Sequence, residues 1–206
     1  MSVPPNEYVG RCGPEAGVLR RRSWLVWSIA AALSVLFMGL IIAAPLALAR
    51  GRSVLALAIY RTFSGACHQI PERSFYLDGH PLAVCARCTG IYLGFAVAVL
   101  LYPLVRSLGR TDAPARRWLL IALAPTLIDF ALGFSGLWQN THFTRSLTGA
   151  LLGAATAFYV LPGLVDLGRL LGRSRSLVEA ASIRGPLLAA EQHLAPSDYG
   201  SPANRI

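Results

Sequence analysis

The 206-residue chain contains no lysine and only 10 acidic residues, against 19 arginines. Charged side chains make up 14% of it, whereas a soluble domain devotes about a quarter of its residues to them. The sequence therefore has too few charges to cover the surface of an ordinary soluble protein. It also lacks a G-x-x-x-x-G-K phosphate loop and a Rossmann glycine fingerprint, which excludes the two commonest nucleotide-binding motifs.

Apolar residues dominate instead, at 54% of the chain. Four segments are long and apolar enough to cross a hydrocarbon core of about 30 Å, which takes about 20 helical residues. They are residues 24–49, 90–105, 117–138 and 147–167. The shorter apolar stretch 53–60 predicts either an interfacial helix or a continuation of the first span. We therefore predict an all-α integral membrane protein with four transmembrane helices. Its partner is expected to be the lipid bilayer, and no binding to nucleic acid is expected.

The membrane domain is predicted to cover residues 23–171, between polar tails at 1–22 and 172–206 that we expect to be flexible. Arginine-rich loops favour the cytoplasmic side of a membrane. Twelve arginines share one side of a four-span arrangement: Arg11, Arg20, Arg21, Arg22, Arg106, Arg110, Arg116, Arg117, Arg169, Arg173, Arg175 and Arg184. Six lie on the other: Arg50, Arg52, Arg61, Arg73, Arg87 and Arg145. Both termini are thus predicted to be cytoplasmic, in the cell membrane, with the loop at 67–88 facing outward.

Two of the spans resemble each other. "TGIYLGFAVAVLLYP" from Thr89 and "TGALLGAATAFYVLP" from Thr148 share Thr-Gly, Leu-Gly and the final Pro at identical spacing. Each carries a G-x-x-x-G, a spacing that lets helix backbones approach closely. The four glycines are Gly90, Gly94, Gly149 and Gly153. The similarity is either coincidence in low-complexity sequence or the trace of two parallel-repeat hairpins.

The outward loop gathers soft metal ligands. Cys67 precedes a C-x-x-C pair formed by Cys85 and Cys88. A C-x-x-C pair places two sulfurs on one turn, and a distant Cys with one imidazole can complete a tetrahedral zinc site. Three histidines compete for the fourth position: His68, His80 and His142. Zinc is therefore the expected cofactor.

The outward orientation supports a second hypothesis for the same cysteines. Thiols tend to oxidise outside the cytoplasm, and a thiol-exchanging enzyme combines a C-x-x-C pair with a third cysteine as transient partner. Cys85 and Cys88 would then exchange electrons with a quinone or a partner thiol, with Cys67 as the third sulfur. Arg87 would help to stabilise a thiolate. Whether the protein is an enzyme stays open.

Asp129 lies within the third span, where a carboxylate costs about 2.5–3.5 kcal/mol on insertion scales. Such a residue faces the interior of the bundle and pairs with a cation. Arg145, at the outward start of the fourth span, is the expected partner. The pair serves either to hold the two spans together or to form a proton or cation site beneath the cysteines.

These motifs resemble the prokaryotic membrane proteins grouped as domain of unknown function 2085. The resemblance rests on "CHQIPERSF" (67–75), "CARCTGIYLG" (85–94) and "RSLTGALLG" (145–153), and covers roughly residues 55–165. It implies a small multi-span protein whose Cys and His positions are family features, and it favours His68 as the fourth metal ligand. The family's acidic residue in the third span looks similar to Asp129, although Phe130 follows here where the family has Gly. The resemblance brings no activity.

Three hypotheses follow from the sequence. The first is a metal-binding membrane protein with a structural or transport role. The second is a membrane thiol-disulfide oxidoreductase. The third is a structural or interaction subunit in which the cysteines only staple a loop. Homo-oligomer formation is left open by all three.

Overall fold

The computed structural model describes residues 14–110 and 112–194, with side chains described within 17–110 and 112–170. Five α-helices account for most of these residues: α1 (Pro14–Ala49), α2 (Ser53–Ser64), α3 (Ala86–Val105), α4 (Arg116–Phe134) and α5 (His142–Leu194). Between α2 and α3 lie a single 3-10 turn (Pro71–Arg73) and two short strands, β1 (Tyr76–Leu77) and β2 (His80–Pro81).

Four of the helices contain a segment long and apolar enough to cross a membrane: Gly17–Ala49, Ala86–Val105, Arg116–Phe134 and His142–Leu170. Most of their large apolar side chains are exposed, as expected for helices whose outer faces contact lipid tails. The predicted all-α membrane fold with four spans is confirmed.

Helix α2 is separate from α1, so the stretch at 53–60 does not continue the first span. Gly51 breaks the chain between them with a φ of +72°, which glycine adopts without strain. Ala56, Ile59 and Phe63 are buried along one face of α2, at the spacing of a helical stripe. The Phe63 ring meets Phe37 of α1 edge-on, with 5.8 Å between centroids. The amphipathic face of α2 is therefore its contact with α1.

The strands form a minimal antiparallel hairpin in the loop before α3. Tyr76 pairs with Pro81 and Leu77 with His80. The two residues of the turn, Asp78 and Gly79, both have positive φ (50° and 77°), as a type I′ turn requires and as the Asp-Gly sequence favours.

Helices α3 and α5 run in the same direction and touch along their backbones. A Cβ added at Gly90 would lie 2.8 Å from the Cα of Ser146, and one at Gly94 would lie 2.7 Å from the Cα of Ala150. From the other side, a Cβ at Gly153 would lie 2.9 Å from the Cα of Ile91, and one at Gly149 would collide with the carbonyl of Arg87. Real Cβ atoms do not approach so closely, so the crossing requires glycine at all four positions.

These contacts are reciprocal. In the internal alignment, Gly90 corresponds to Gly149 and Arg87 to Ser146; Gly90 lies on Ser146, while Gly149 lies on Arg87. Such reciprocity is what a local two-fold axis along the parallel helices produces. It supports a relationship between α3 and α5, and the duplication of whole hairpins stays a prediction.

Helix α1 joins the other side of α3. The indole Nε1 of Trp27 donates to the carbonyl of Val99 at 2.8 Å. Around this bond, Val99 and Tyr102 of α3 pack with Leu161 of α5 in a buried cluster that also contains alanines of α1. Small residues thus bring α1, α3 and α5 together, as expected where helices pack without a hydrophobic driving force.

The chain divides into two compact units, Met1–Gly168 and Arg169–Ile206. The described backbone of the second unit, to Leu194, is helical, although the sequence predicted a flexible tail from residue 172. Leu, Ala, Glu and Arg are frequent between 172 and 194, and their high helix propensity accounts for the helix. Residues 14–22 of the predicted N-terminal tail are likewise helical. The remainder of both tails, 1–13 and 195–206, lies outside the described residues.

The glycine crossing gives a direct test. Gly153→Ala should destabilise the protein by about 1–3 kcal/mol, because its methyl group would overlap the Ile91 backbone. The control is Gly163→Ala in the same helix, where a Cβ meets nothing within 4 Å and alanine should be neutral or stabilising. Thermal unfolding in detergent measures both variants. Equal melting temperatures for the two would contradict the close crossing.

Candidate metal centre

Three thiols from two separate segments meet where α3 begins. Cys67 follows α2 and is buried, whereas Cys85 and Cys88 are half-buried at the N-cap and first turn of α3. All three are free thiols, and their sulfur atoms lie within 4.8 Å of one another. The structure thus brings together the three cysteines that the sequence grouped.

The backbone holds the sulfur of Cys67 in place. Cys67 Sγ accepts hydrogen bonds from the amides of Cys85, at 3.2 Å, and of Gln69, at 3.5 Å. These two bonds hold the sulfur of Cys67 beside the start of α3, where Cys85 and Cys88 lie.

Gln69 fixes the loop that carries Cys67. Its φ of +50° turns the chain sharply, and its side-chain Nε2 donates to the carbonyls of Tyr60 and Ala83, both at 2.7 Å. One amide group therefore ties the end of α2 to the segment before Cys85. Gln69 belongs to the motif "CHQIPERSF", but the sequence alone predicted no role for it. An amide at a loop corner, able to bind two separate carbonyls at once, was the available signal.

The thiol of Cys85, at the N-cap of α3, has a lowered pKa. A hydrogen bond from the side chain of Cys88 lowers the pKa of Cys85 to about 5, against an opposing effect of burial. Backbone donors around the start of α3 act in the same direction. Cys85 is therefore ready to act as a thiolate ligand at neutral pH.

This arrangement fits a thiolate-bound metal ion. Sulfurs bound to one zinc ion at about 2.3 Å in tetrahedral geometry lie about 3.8 Å apart. The sulfurs here, within 4.8 Å of one another, need to move by only about 1 Å to reach that spacing. Both C-x-x-C sulfurs face Cys67 because Cys85 ends the loop and Cys88 lies one turn further along α3.

The three candidate histidines lie in three different places. Among the described residues, no imidazole nitrogen lies within 4.8 Å of all three sulfurs. His68 is exposed and lines the cavity beside the thiols. His80 belongs to β2. The ring of His142 lies 5.7 Å from that of Phe75, and its Nε2 is 3.2 Å from the Glu72 carbonyl. His68 as fourth ligand stays a prediction.

Asp129 forms an ion pair with Arg87 in place of the predicted Arg145. The first turn of α3 lies beside α4, and the Arg87 guanidinium stacks over the ring of Phe130, 5.6 Å from its centroid. The side-chain amide of Asn140 donates to the backbone carbonyl of Asp129. Arg87 thus meets both the carboxylate and the ring of consecutive residues of α4. Sequence reasoning assigned Arg87 to thiolate stabilisation and missed this pairing.

Arg145 lies on the cavity instead. This space of about 350 Å³ is bordered by the three thiols, His68, Phe130 and three arginines, namely Arg73, Arg87 and Arg145. The Nε of Arg145 is buried and has no hydrogen-bond partner among the described residues. Five of the predicted site residues therefore border one cavity, namely Cys67, His68, Cys85, Cys88 and Arg145. Asp129 and His142 are not part of its lining, and Arg73 is an additional member.

Comparison with known proteins places these residues in a family. The family model described as "Predicted membrane protein (DUF2085)" matches residues 67–159. An uncharacterized protein of Methanocaldococcus jannaschii is 39% identical over 108 residues, which cover 52% of this chain and 69% of the relative. The chain belongs to this family. The DUF2085 match begins at Cys67 and includes the other two cysteines, Asp129 and Arg145.

A second relative, an uncharacterized protein of Methanothermobacter thermautotrophicus, is 38% identical over 105 residues, which cover 50% of this chain and 93% of the relative. No solved structure matches the chain. Membership of DUF2085 confirms the resemblance predicted from the motifs. It also agrees with the membrane fold.

A double-mutant cycle tests the pairing of Asp129. Asp129→Asn and Arg87→Gln should each lower the free energy of unfolding. The loss in the double variant should be smaller than the sum of the two single losses by about 0.5–3 kcal/mol, because either single change already breaks the ion pair. The matched cycle combines Asp129→Asn with Arg145→Gln and should be closer to additive. Unfolding in detergent supplies the free energies. Stronger coupling to Arg145 than to Arg87 would overturn the assignment.

Proposed function

We propose that this protein binds a zinc ion at one end of its helical bundle through the thiolates of Cys67, Cys85 and Cys88. The observation that carries the proposal is the approach of these three sulfurs to within 4.8 Å of one another. Two of them come from one helical turn and the third from a distant loop, the usual way in which a chain builds a thiolate site.

The donor set supports zinc over harder cations. Three sulfurs and no carboxylate form the group, and soft thiolates select Zn²⁺, Cu⁺ or iron–sulfur clusters over Mg²⁺ or Ca²⁺. A tetrahedral zinc ion needs one further ligand. The cavity beside the thiols leaves room for His68 or for a ligand from outside the chain.

The loop that carries Cys67 would hold the ligands of such a centre in position. Cys67 accepts a hydrogen bond from the Cys85 amide at the start of α3, and Gln69 joins Tyr60 of α2 to Ala83 in the segment before α3. A bound zinc ion would act as a Lewis acid towards a ligand in the fourth position. Its binding free energy would also contribute to folding.

Thiol-disulfide exchange is the second candidate. It is favoured by the position of Cys67, a third free thiol within reach of both sulfurs of the C-x-x-C pair. Oxidation of two of these thiols to a disulfide would pass two electrons and two protons to a quinone, or to a partner disulfide that is thereby reduced. The mutual adjacency of three sulfurs suits one shared ion better than a single S–S bond, which engages only two.

Elemental analysis of detergent-purified protein distinguishes the two functions. We expect about one zinc ion per chain, and its loss in Cys85→Ser or Cys88→Ser, since each removes one of three thiolates. Cys12→Ser is the matched control, because Cys12 lies outside the motif. Metal-free protein whose free thiols increase by two on reduction would overturn the metal site in favour of the redox function.

We further propose that both termini are cytoplasmic and that the cysteines face outward from the cell membrane. The loop between α3 and α4 supports this orientation, because Arg106 and Arg110 lie in it and Arg116 and Arg117 follow at the start of α4. The loop between α4 and α5 has no arginine.

Reporter fusions test this orientation. Alkaline phosphatase, active only outside the cytoplasm, should be active when fused after Gln139 and inactive when fused after Ser107. Green fluorescent protein at the same two positions should give the reverse pattern. The opposite result with both reporters would place the cysteines in the cytoplasm.

A further inference from the structure

Three arginines from separate parts of the chain converge beside the thiols. Arg73 ends the 3-10 turn, Arg87 lies in the first turn of α3, and Arg145 lies in the first turn of α5. All three line the cavity of about 350 Å³ and also a smaller neighbouring one of about 60 Å³. We call these three residues the arginine cluster.

The arginine cluster carries more positive charge than its surroundings neutralise. Asp129 pairs with Arg87, and Cys85, as a thiolate in the wall of the larger cavity, neutralises one more guanidinium group, so one of the three positive charges stays uncompensated. Neither Arg73 nor Arg145 forms an ion pair with a described residue, and the linings of both cavities include no acidic side chain among the described residues. Like charges gathered in a partly enclosed space repel one another. The space therefore favours an anion.

Two donors of the cluster lack partners within the protein. The Nε groups of Arg87 and Arg145 are buried, and neither has a hydrogen-bond partner in the described part of the chain. Buried guanidinium donors are normally satisfied, because leaving them unpaired is costly. Both arginines also occupy the first turn of a long helix, where free amides add positive potential.

We propose that the arginine cluster binds a small oxyanion, a phosphate or a group of the same shape and charge. Guanidinium forks match oxygens that share one central atom, and they bind such groups with two parallel hydrogen bonds. A single halide could not engage three forks in this way. Stacking on Phe130 and pairing with Asp129 hold Arg87 in position, so part of the site is already organised.

The oxyanion has two possible sources with the same chemistry. One is a soluble anion such as inorganic phosphate, which would enter from the water at this end of the bundle. The other is the phosphate of a lipid headgroup, since basic pockets between spans can hold headgroups. The inference does not rest on the proposed zinc ion, because the arginines and their missing partners are features of the chain itself.

Isothermal titration calorimetry, with inorganic phosphate added to the detergent-purified protein, tests the proposal. Phosphate should bind the wild-type chain, and Arg145→Gln should weaken binding by at least ~10-fold, because a charged hydrogen-bond donor is lost. Arg73→Gln, on an exposed turn, should weaken it in the same direction without disturbing the helices. Arg145→Lys should fall between, since it keeps the charge and loses the fork.

Arg61→Gln is the matched control, with the same change of charge at an exposed position in α2 outside both cavities. Its phosphate affinity should equal that of the wild type. No phosphate binding by the wild type, or equal binding by the Arg145, Arg73 and Arg61 variants, would overturn the site.

Two further experiments identify the source of the oxyanion and separate this proposal from the proposed zinc site. Phosphate binding that is weaker in phosphatidylcholine nanodiscs than in a maltoside detergent, which carries no phosphate, would identify a lipid headgroup as competitor, and equal binding would identify a soluble anion. Either result supports the oxyanion site. Repeating the titration after chelator treatment, with zinc measured before and after, should still give phosphate binding that depends on Arg145, so that failure of one proposal does not decide the other.

Discussion

The backbone contact between α3 and α5 determines where the helical residues of the site lie. Gly90 and Gly94 on one helix, with Gly149 and Gly153 on the other, remove the side chains that would hold the two axes apart. Because Gly149 rests on the carbonyl of Arg87, the first turns of both helices are held side by side. Those turns carry Cys88, Arg87 and Arg145. A larger residue at the crossing would therefore displace thiols and arginines together.

The loop from 67 to 85 completes the site because it is bound at several points. Gln69 binds the carbonyl of Tyr60 in α2 and that of Ala83 near the end of the loop, and the hydroxyl of Tyr60 donates to the carbonyl of Pro81. The ring of His142, at the start of α5, lies against the same loop. A chain segment restrained in this way loses less entropy when its Cys67 binds a ligand. The loop is thus part of the preorganised site.

The parts of this structure that depend on local pattern could be predicted from the sequence. Apolar length predicted four spans, and the C-x-x-C with a third Cys predicted that Cys67, Cys85 and Cys88 meet. Asp129 pairs with Arg87 and not with the predicted Arg145. Both arginines lie in the first turn of a helix beside the cavity, and the choice between them depends on helix rotation, which a sequence does not display. Stacking on Phe130 favours Arg87. The role of Gln69 was missed for a similar reason, since its two carbonyl partners are 9 and 14 residues away.

We propose, from the balance of charge, that this site is more than a structural staple. Charges within membrane-spanning segments are costly and are normally paired, and Arg87 with Asp129 follows that rule. A staple made of three thiolates and a zinc ion would carry one negative charge and would need no more than one additional cation. The cavity nevertheless holds Arg73 and Arg145 as well. With zinc bound, the three thiolates and Asp129 would leave one positive charge of the zinc ion and the three arginines uncompensated. An exchangeable anion beside an open metal position accounts for that charge, whereas a closed structural site does not.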